Sequence, residues 1–505
     1  MKLTDVLAGC GAEQTSGGRT PADVTGVSQD SRKVKPGDLF VAIPGTKEDG
    51  AQFVGEAVSR GAVAVVSEKS LSSQVPFFKV SNARKALALI AANFHGRPAD
   101  KLTMLGVTGT NGKTTTTYLL EAMATAAYSS TGVIGTLGYK VGGQFHPTAH
   151  TTPDPLELHR ILKEMVDAGV ETVVMEVSSH ALLQERVHGI TFKAAAFTNL
   201  TRDHLDYHKD LEEYFQAKRK LFVENLSQTG VAVVNGDDTY GTRIYNELRG
   251  QKRMAWKFSR QGNGEISASD ASFTLQGIQG VLKTPAGDIP VKSRLLGAHN
   301  LENILAAAGL ALGAGFARRK DVQLGIERMG SVPGRMERVE NHGPAQAPAV
   351  LVDYAHTDDA LKRALEASRA MAKGRVIVVF GCGGERDQGK RPLMGTAAAE
   401  AADLAVLTSD NPRTEDPEEI ISQVTPGLEK IGMRRISAGK AKSGEKGYLV
   451  DADRKAAIET AISLAKEDDV VLIAGKGHET YQIIGTEKRA FDDREVAARA
   501  LAIRT

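Results

Sequence analysis

The residues with the clearest chemical capability lie between 103 and 117, in Thr103-Met104-Leu105-Gly106-Val107-Thr108-Gly109-Thr110-Asn111-Gly112-Lys113-Thr114-Thr115-Thr116-Thr117. A short apolar run (Met104, Leu105, Val107) reads as a buried strand. A glycine-rich turn follows, then a helical pattern through Tyr118, Leu119, Leu120 and Met123. Gly109 and Gly112 allow a tight bend, so several N–H groups can face one anion. Lys113 adds a point charge for the outer phosphates, and the Thr114 hydroxyl can ligate Mg²⁺ at the helix start. Val107 stands where the strict phosphate-loop spacing has its first glycine. Strand, glycines, Lys-Thr and helix nevertheless arrive in the required order, which points to a nucleoside-triphosphate site.

Other chemistry-bearing residues follow. Glu176 ends the apolar run Thr172-Val173-Val174-Met175-Glu176-Val177. In an open α/β sheet the ligand crevice lies beyond the carboxyl ends of the strands. Glu176 is therefore expected to share a crevice with Lys113 and Thr114 and to hold Mg²⁺ there; the alternative is a surface carboxylate. His204 and His208 are four apart, a spacing that suits zinc. No Glu follows His204 as a zincin pattern requires, and no Cys is near. A Mg²⁺ site borrowing one His fits better, with a hydrogen-bonded structural His as the alternative. Lys218 lies in the amphipathic stretch Tyr214–Phe222, where pattern alone makes it a solvated helix lysine. Asp30-Ser31-Arg32 reads equally well as a ligand contact or a plain turn.

These residues need elements to position them. With 505 residues the chain has room for about three domains. Short apolar runs alternate with helical patterns throughout, the mark of α/β architecture with mostly parallel sheets. The expected division is a small N-terminal α/β domain over 1–100, a central phosphate-loop domain over 101–332 and a C-terminal doubly wound, Rossmann-like domain over 333–505. In the last, strands at 349–352, 376–380, 404–407 and 469–474 lead into polar loops. These loops are Asp353-Tyr354-Ala355-His356, Gly381 to Asp387, Ser409-Asp410-Asn411-Pro412-Arg413 and Gly475-Lys476-Gly477-His478-Glu479. Four such loops on one sheet edge make a binding rim.

Bulk properties exclude several classes. The 63 basic residues nearly balance the 61 acidic ones, so no polyanion-binding surface and no nucleic-acid partner are expected. Cys10 and Cys382 are too few for a disulfide framework, which fits a reducing, cytoplasmic setting. Leu7-Ala8-Gly9-Cys10 resembles a lipoprotein cleavage site, but Asp5 interrupts the few residues before it. The most apolar segment, 304–317, is too short to span a bilayer and reads as a buried helix.

Taken together, these stretches resemble the Mur ligase family, ATP-dependent enzymes that add amino acids to the UDP-muramoyl precursor of peptidoglycan. The resemblance rests on Gly109 to Thr115, Glu176-Val177-Ser178-Ser179-His180, Asn199 to His204, His299 to Asn303, Pro333-Gly334-Arg335 and Asp353 to His356. The phosphate loop without its first glycine is that family's variant. Thr151-Thr152-Pro153, Gln184-x-Arg186 and the 475–479 run resemble the branch acting on UDP-N-acetylmuramoyl-L-alanyl-D-glutamate. Asp410-Asn411-Pro412-Arg413 resembles the version taking meso-2,6-diaminopimelate rather than L-lysine. A guanidinium grips the distal carboxylate of diaminopimelate bidentately and would repel the ammonium of lysine. Asp358 departs from the usual Pro, at a helix start that tolerates Asp.

The resemblance implies acyl phosphate formation: the D-glutamyl carboxylate attacks the γ-phosphate of ATP, and the diaminopimelate amine then displaces phosphate. It implies catalytic roles for Lys113, Glu176, His204, Lys218 and His356. ATP would be held by Gly109, Thr110, Asn111, Gly112, Lys113, Thr114, Thr115, Asn303, Arg335 and Asp353. The UDP-muramoyl dipeptide would meet Ser31, Thr151, Thr152, Ser178, Gln184 and Arg186. Diaminopimelate would meet Arg391, Asp410, Asn411, Pro412, Arg413, Gly475 and Glu479. Mg²⁺ would be held by Thr114, Glu176, His204 and a carbamylated Lys218. A soluble, cytoplasmic monomer is expected. The rivals are the L-lysine-adding ligase, a folylpolyglutamate synthase and a non-catalytic nucleotide-binding regulator.

Overall fold

The computed structural model describes residues 1–16, 23–45, 48–70, 73–344 and 346–504. Among these residues three large sheets follow one another along the chain, each parallel at its centre. The first orders its strands Glu13–Ser16, Phe77–Lys79, Ala64–Ser67, Asp38–Ala42 and Gly26–Ser28, with only the Glu13–Ser16 edge antiparallel.

In the second sheet Thr103–Thr108 sits between Thr172–Glu176 and Phe192–Phe197, parallel to both, with Glu176 opposite Val107. Thr131–Gly135 continues one side, and Leu226–Asn235 and Ala255–Ser259 the other. Antiparallel strands close both ends. Strands with both faces covered should read as continuous apolar runs. Two separate clusters confirm it, with Met104, Val173 and Ala195 facing one side and Leu105, Val174 and Ala196 the other.

The third sheet runs Glu337–Arg338, Ala349–Asp353, Val470–Ala474, Val376–Phe380, Leu404–Leu407 and Gly447–Val450, antiparallel only at its first edge. The four polar loops foreseen for it leave the carboxyl ends of neighbouring strands.

The Ala-rich segment forms the buried helix Ala298–Ala314, starting six residues before the apolar run and stopping at left-handed Gly315. The helix Arg319–Arg328 is followed by a connection that turns at Pro333 and Gly334 before the third sheet. No helix among the described residues is long and apolar enough to cross a membrane.

Candidate functional site

The phosphate loop lies at the carboxyl end of Thr103–Thr108 and feeds the helix Lys113–Ala126. Asn199, from the adjacent strand end, clamps it: its Oδ1 accepts from Asn111 N at 2.9 Å and its Nδ2 donates to Asn111 O at 3.2 Å. Gly112 is left-handed at φ 87°, and a Cβ there would come within 2.2 Å of Asn303 Oδ1. The turn and the Ala298–Ala314 helix approach this closely because position 112 has no side chain. Lys113 Nζ bonds Gly109 O and Thr110 O at 3.0 and 2.8 Å. Burial pushes its pKa down, against the attraction of Glu176 and Asp203.

Glu176 is 1% exposed and accepts from Thr136 N at 2.9 Å and Thr136 Oγ1 at 3.0 Å. It lines one cleft with Lys113, Thr114, Asn303, Arg335, Asp353 and His356, of about 230 Å³. The C-terminal side closes this cleft. Arg335 lies over the Tyr354 ring at 4.5 Å and donates to Thr114 Oγ1 at 3.3 Å. Asp353 fixes the turn by accepting from Met336 N and Ala355 N. His356 Nδ1 meets the Tyr354 carbonyl at 2.8 Å, so that nitrogen holds the proton.

His204 also lines the cleft, in a left-handed backbone at φ 54°. A non-glycine residue in that region is uncommon and clusters at working sites. Burial pushes the imidazole down to about 4; Asp203 opposes this and Lys218 and Lys113 add to it. The ring is therefore neutral near pH 7 and has a lone pair for a cation. His208 instead bonds Ser179 Oγ at 3.0 Å. Among the described residues no group of three His, Cys, Asp or Glu is placed to hold a metal by itself. Mg²⁺ fits what is present, since it is commonly held by one or two carboxylates together with substrate phosphates.

Lys218 overturns its amphipathic pattern. It is 1% exposed, donates to Gly109 O at 2.8 Å and lies 4.5 Å over the Tyr214 ring. Its helix, Leu211–Lys220, runs on into a π turn at Leu221–Asn225 and packs its nominally polar last turn against the phosphate loop. Burial, then the charge of Lys113, depresses the Lys218 pKa strongly.

Thr151, Thr152, Ser178, Gln184 and Arg186 come together beside the cleft. Thr152 Oγ1 donates to Glu176 O at 2.8 Å and accepts from Ser178 N at 3.0 Å. Arg186 donates to Thr152 O and Gln184 Oε1. Thr151 Oγ1 is 3.2 Å from Thr136 Oγ1. Ser31 lies on a large open groove that the first domain forms together with Asp154, Leu156 and Glu157, and its hydroxyl donates to Glu56 Oε2 at 2.7 Å.

On the third sheet, Asn411 bonds Glu479 Oε2 at 2.9 Å, and Lys476 bonds both residues. Pro412 turns the chain so that Arg413 Nη1 donates to Gly384 O at 2.7 Å. Beneath them Arg454, in a fully buried pair with Asp493, donates to Ser409 O and Ala474 O, fixing the strand ends that present Asp410 and Gly475. Arg391 lies beneath this rim: it is 0% exposed, gives both terminal nitrogens to Glu415 at 2.8 and 3.0 Å, and also donates to Gly383 O at 3.3 Å on the rim loop. Arg386, on the same loop and not named from the sequence, is exposed; its Cγ lies near Gly383 and its Nη1 donates to Glu385 O at 3.4 Å.

Comparison with known proteins agrees with this geometry. Residues 23–95 match the description "Mur ligase family, catalytic domain", 107–311 "Mur ligase middle domain" and 334–477 "Mur ligase, glutamate ligase domain". A protein of Gloeobacter violaceus named UDP-N-acetylmuramoyl-L-alanyl-D-glutamate--2,6-diaminopimelate ligase is 46% identical, over 100% of this chain and 99% of its own. One of the same name from Geobacillus thermodenitrificans is 43% identical over 99% of each. A solved structure of that name aligns with a TM-score of 0.68 and 34% identity, over 95% of this chain and 94% of its own. A Mycobacterium tuberculosis folylpolyglutamate synthase shares the fold, with a TM-score of 0.63 at 17% identity over 83% of this chain and 96% of its own. With relatives this similar along the whole length, and a phosphate loop clamped by Asn199 against Lys218, the chain belongs to the Mur ligase family.

Proposed function

We propose that this protein joins meso-2,6-diaminopimelate to the D-glutamyl carboxylate of UDP-N-acetylmuramoyl-L-alanyl-D-glutamate, using ATP. The observation that carries the acceptor is the guanidinium of Arg413, which stands beside Gly383 on the same rim as the bonded pair Asn411 and Glu479. A guanidinium there suits a distal carboxylate and disfavours the ammonium of lysine. A cytoplasmic setting follows from this reading, because its substrates are nucleotides and free amino acids.

The phosphate loop N–H groups and Lys113 hold the triphosphate, while Arg335, Asp353 and Asn303 surround the nucleotide. Thr114, Glu176, His204 and a carbamylated Lys218 would hold Mg²⁺, which supplies charge neutralisation on the phosphates when bound. The Thr152–Ser178–Arg186 cluster holds the dipeptide end so that its carboxylate faces the γ-phosphate. Closure by Arg335 and His356 keeps water from the acyl phosphate. The rest is positioning: the amine, presented from the third-sheet rim, attacks the activated carbonyl, and phosphate leaves.

Phosphate release should be assayed with ATP and the UDP-muramoyl dipeptide, adding diaminopimelate, lysine or no amino acid. Release with diaminopimelate alone supports the reading. Equal or faster release with lysine would refute the acceptor assignment.

A further inference from the structure

One contact between the second and third domains touches neither nucleotide nor dipeptide. Arg202 immediately precedes Asp203 and His204 on the central side, and its Nη2 reaches across to Asp387 Oδ2 at 3.3 Å. Asp387 immediately follows Arg386, on the loop that ends at the helix Lys390–Ala401. Asp387 Oδ1 accepts from Gly389 N at 2.9 Å, just ahead of that helix. Arg202 Nε is buried and has no hydrogen-bond partner among the described residues. A second anion faces the guanidinium: burial raises the Asp358 carboxyl, Arg202 is one of the charges opposing that rise, and Asp358 Oδ1 has no partner.

The path of Arg202 depends on a missing side chain. A Cβ at Gly389 would stand 2.8 Å from Arg202 Nη2 and 3.1 Å from Asp387 Oδ1. The backbone of Gly389 is right-handed, at φ −62° and ψ −21°. Any residue can adopt that conformation, so no strain requires a glycine there. An added Cβ there would press on the end of the Arg202 side chain and on Asp387.

We propose that Arg202 is a positioning residue: its pairing with Asp387 fastens the amino-acid loop 381–389 to the metal-side loop 199–208, so that seating the incoming amino acid and completing the reaction centre occur together. This rests on the function proposed above. A half-exposed ion pair is weak, which suits a contact that forms and breaks in every turnover. Asp387 is one residue from Arg386 and Arg202 two from His204, so this non-covalent pair links the two loops close to both.

Steady-state kinetics on the full-length enzyme test it, varying ATP and the amino acid separately for Arg202→Met, Asp387→Asn, the double variant and Gly389→Ala. Wild-type turnover first identifies the amino acid used, so failure of the diaminopimelate reading is seen independently, and the cycle is run with whichever amino acid is accepted. Arg202→Met and Asp387→Asn should each raise KM for the amino acid about fivefold, with KM for ATP within about twofold. The double variant should be no worse than either single one, and Arg202→Lys should recover part of the loss. Gly389→Ala, which displaces Arg202 without removing a charge, should reproduce the effect while leaving the melting midpoint of the unliganded protein unchanged. Unchanged amino-acid KM in Arg202→Met, equal rises for both substrates, or additive losses in the double variant would overturn the proposal.

Discussion

Lys218 and Lys113 donate to the same acceptor, the carbonyl of Gly109, at 2.8 and 3.0 Å. Two ammonium groups converging on one oxygen repel each other, and each has its pKa depressed by burial first. A lysine held below its ordinary range presents a neutral amine, the form that captures CO₂. Carbamylation of Lys218 would replace one of the two cations by an anion whose oxygens suit Mg²⁺. Lys218→Ala should lose most activity while keeping its fold, because Ala is favourable in a helix. Short carboxylic acids should restore part of it. Carbon-13 resonance on protein exposed to labelled CO₂ should show one carbamate, absent from the variant. Full turnover of Lys218→Ala in CO₂-depleted buffer would contradict this.

The rim arginines should separate by phenotype. Arg413→Ala and Arg386→Ala should weaken use of diaminopimelate far more than use of ATP, by about 2–5 kcal/mol where the contact is desolvated. Arg391→Met should in addition lower stability, because it leaves Glu415 unpaired. The cost is expected to be about 2 kcal/mol, below the roughly 3–5 kcal/mol of a fully enclosed pair, because Glu415 still meets water. Thermal midpoints and KM values on all three variants check this division.

Gly112→Ala tests the phosphate loop. The left-handed backbone alone costs about 1–2 kcal/mol with a Cβ, and Asn303 must move as well. KM for ATP should rise by more than about tenfold, the equivalent of about 1.4 kcal/mol. Wild-type ATP kinetics in this variant would show that the Gly112–Asn303 approach is incidental.

How much of this was legible in the chain depends on what kind of physics fixed each part. Strand, loop and helix around Lys113 were plain, because periodicity and glycine placement are local. Glu176 was found because a strand end in a parallel sheet has a known neighbour. Lys218 was not: amphipathic periodicity reports one face of a helix, whereas the last turn of Leu211–Lys220 is buried by a loop about a hundred residues earlier. That Arg391 is buried against Glu415 while holding Gly383 O could not be read from composition, since both partners lie outside its own helix. The Arg202–Asp387 pair spans 185 residues and left no trace in pattern.

His159 gives a pH prediction. It is 1% exposed, and neither ring nitrogen has a partner among the described residues. Burial, with His95 and Arg97 adding and Asp100 opposing, pushes it from 6.5 to about 4. Its folded pKa lies below its unfolded one, so the unfolded chain takes up a proton that the native protein refuses. Its contribution is full above pH 6.5 and declines as pH falls towards 4, by up to about 3 kcal/mol. His159→Leu should flatten the loss of urea midpoint between about pH 8 and about pH 5. An unchanged pH dependence in the variant would show that the ring is accessible to protons in the folded state.

The most direct test of the central claim, that the cleft activates the dipeptide carboxylate as an acyl phosphate, follows one oxygen atom. The D-glutamyl carboxylate of the UDP-muramoyl dipeptide is labelled with the heavy oxygen isotope, and the phosphate released in the presence of ATP and diaminopimelate is analysed by mass. Attack of that carboxylate on the γ-phosphate leaves a labelled oxygen bridging to phosphorus, and displacement by the amine carries it away with phosphate. One labelled oxygen per phosphate formed from doubly labelled carboxylate is the expected result; unlabelled phosphate accompanying full product formation would contradict it.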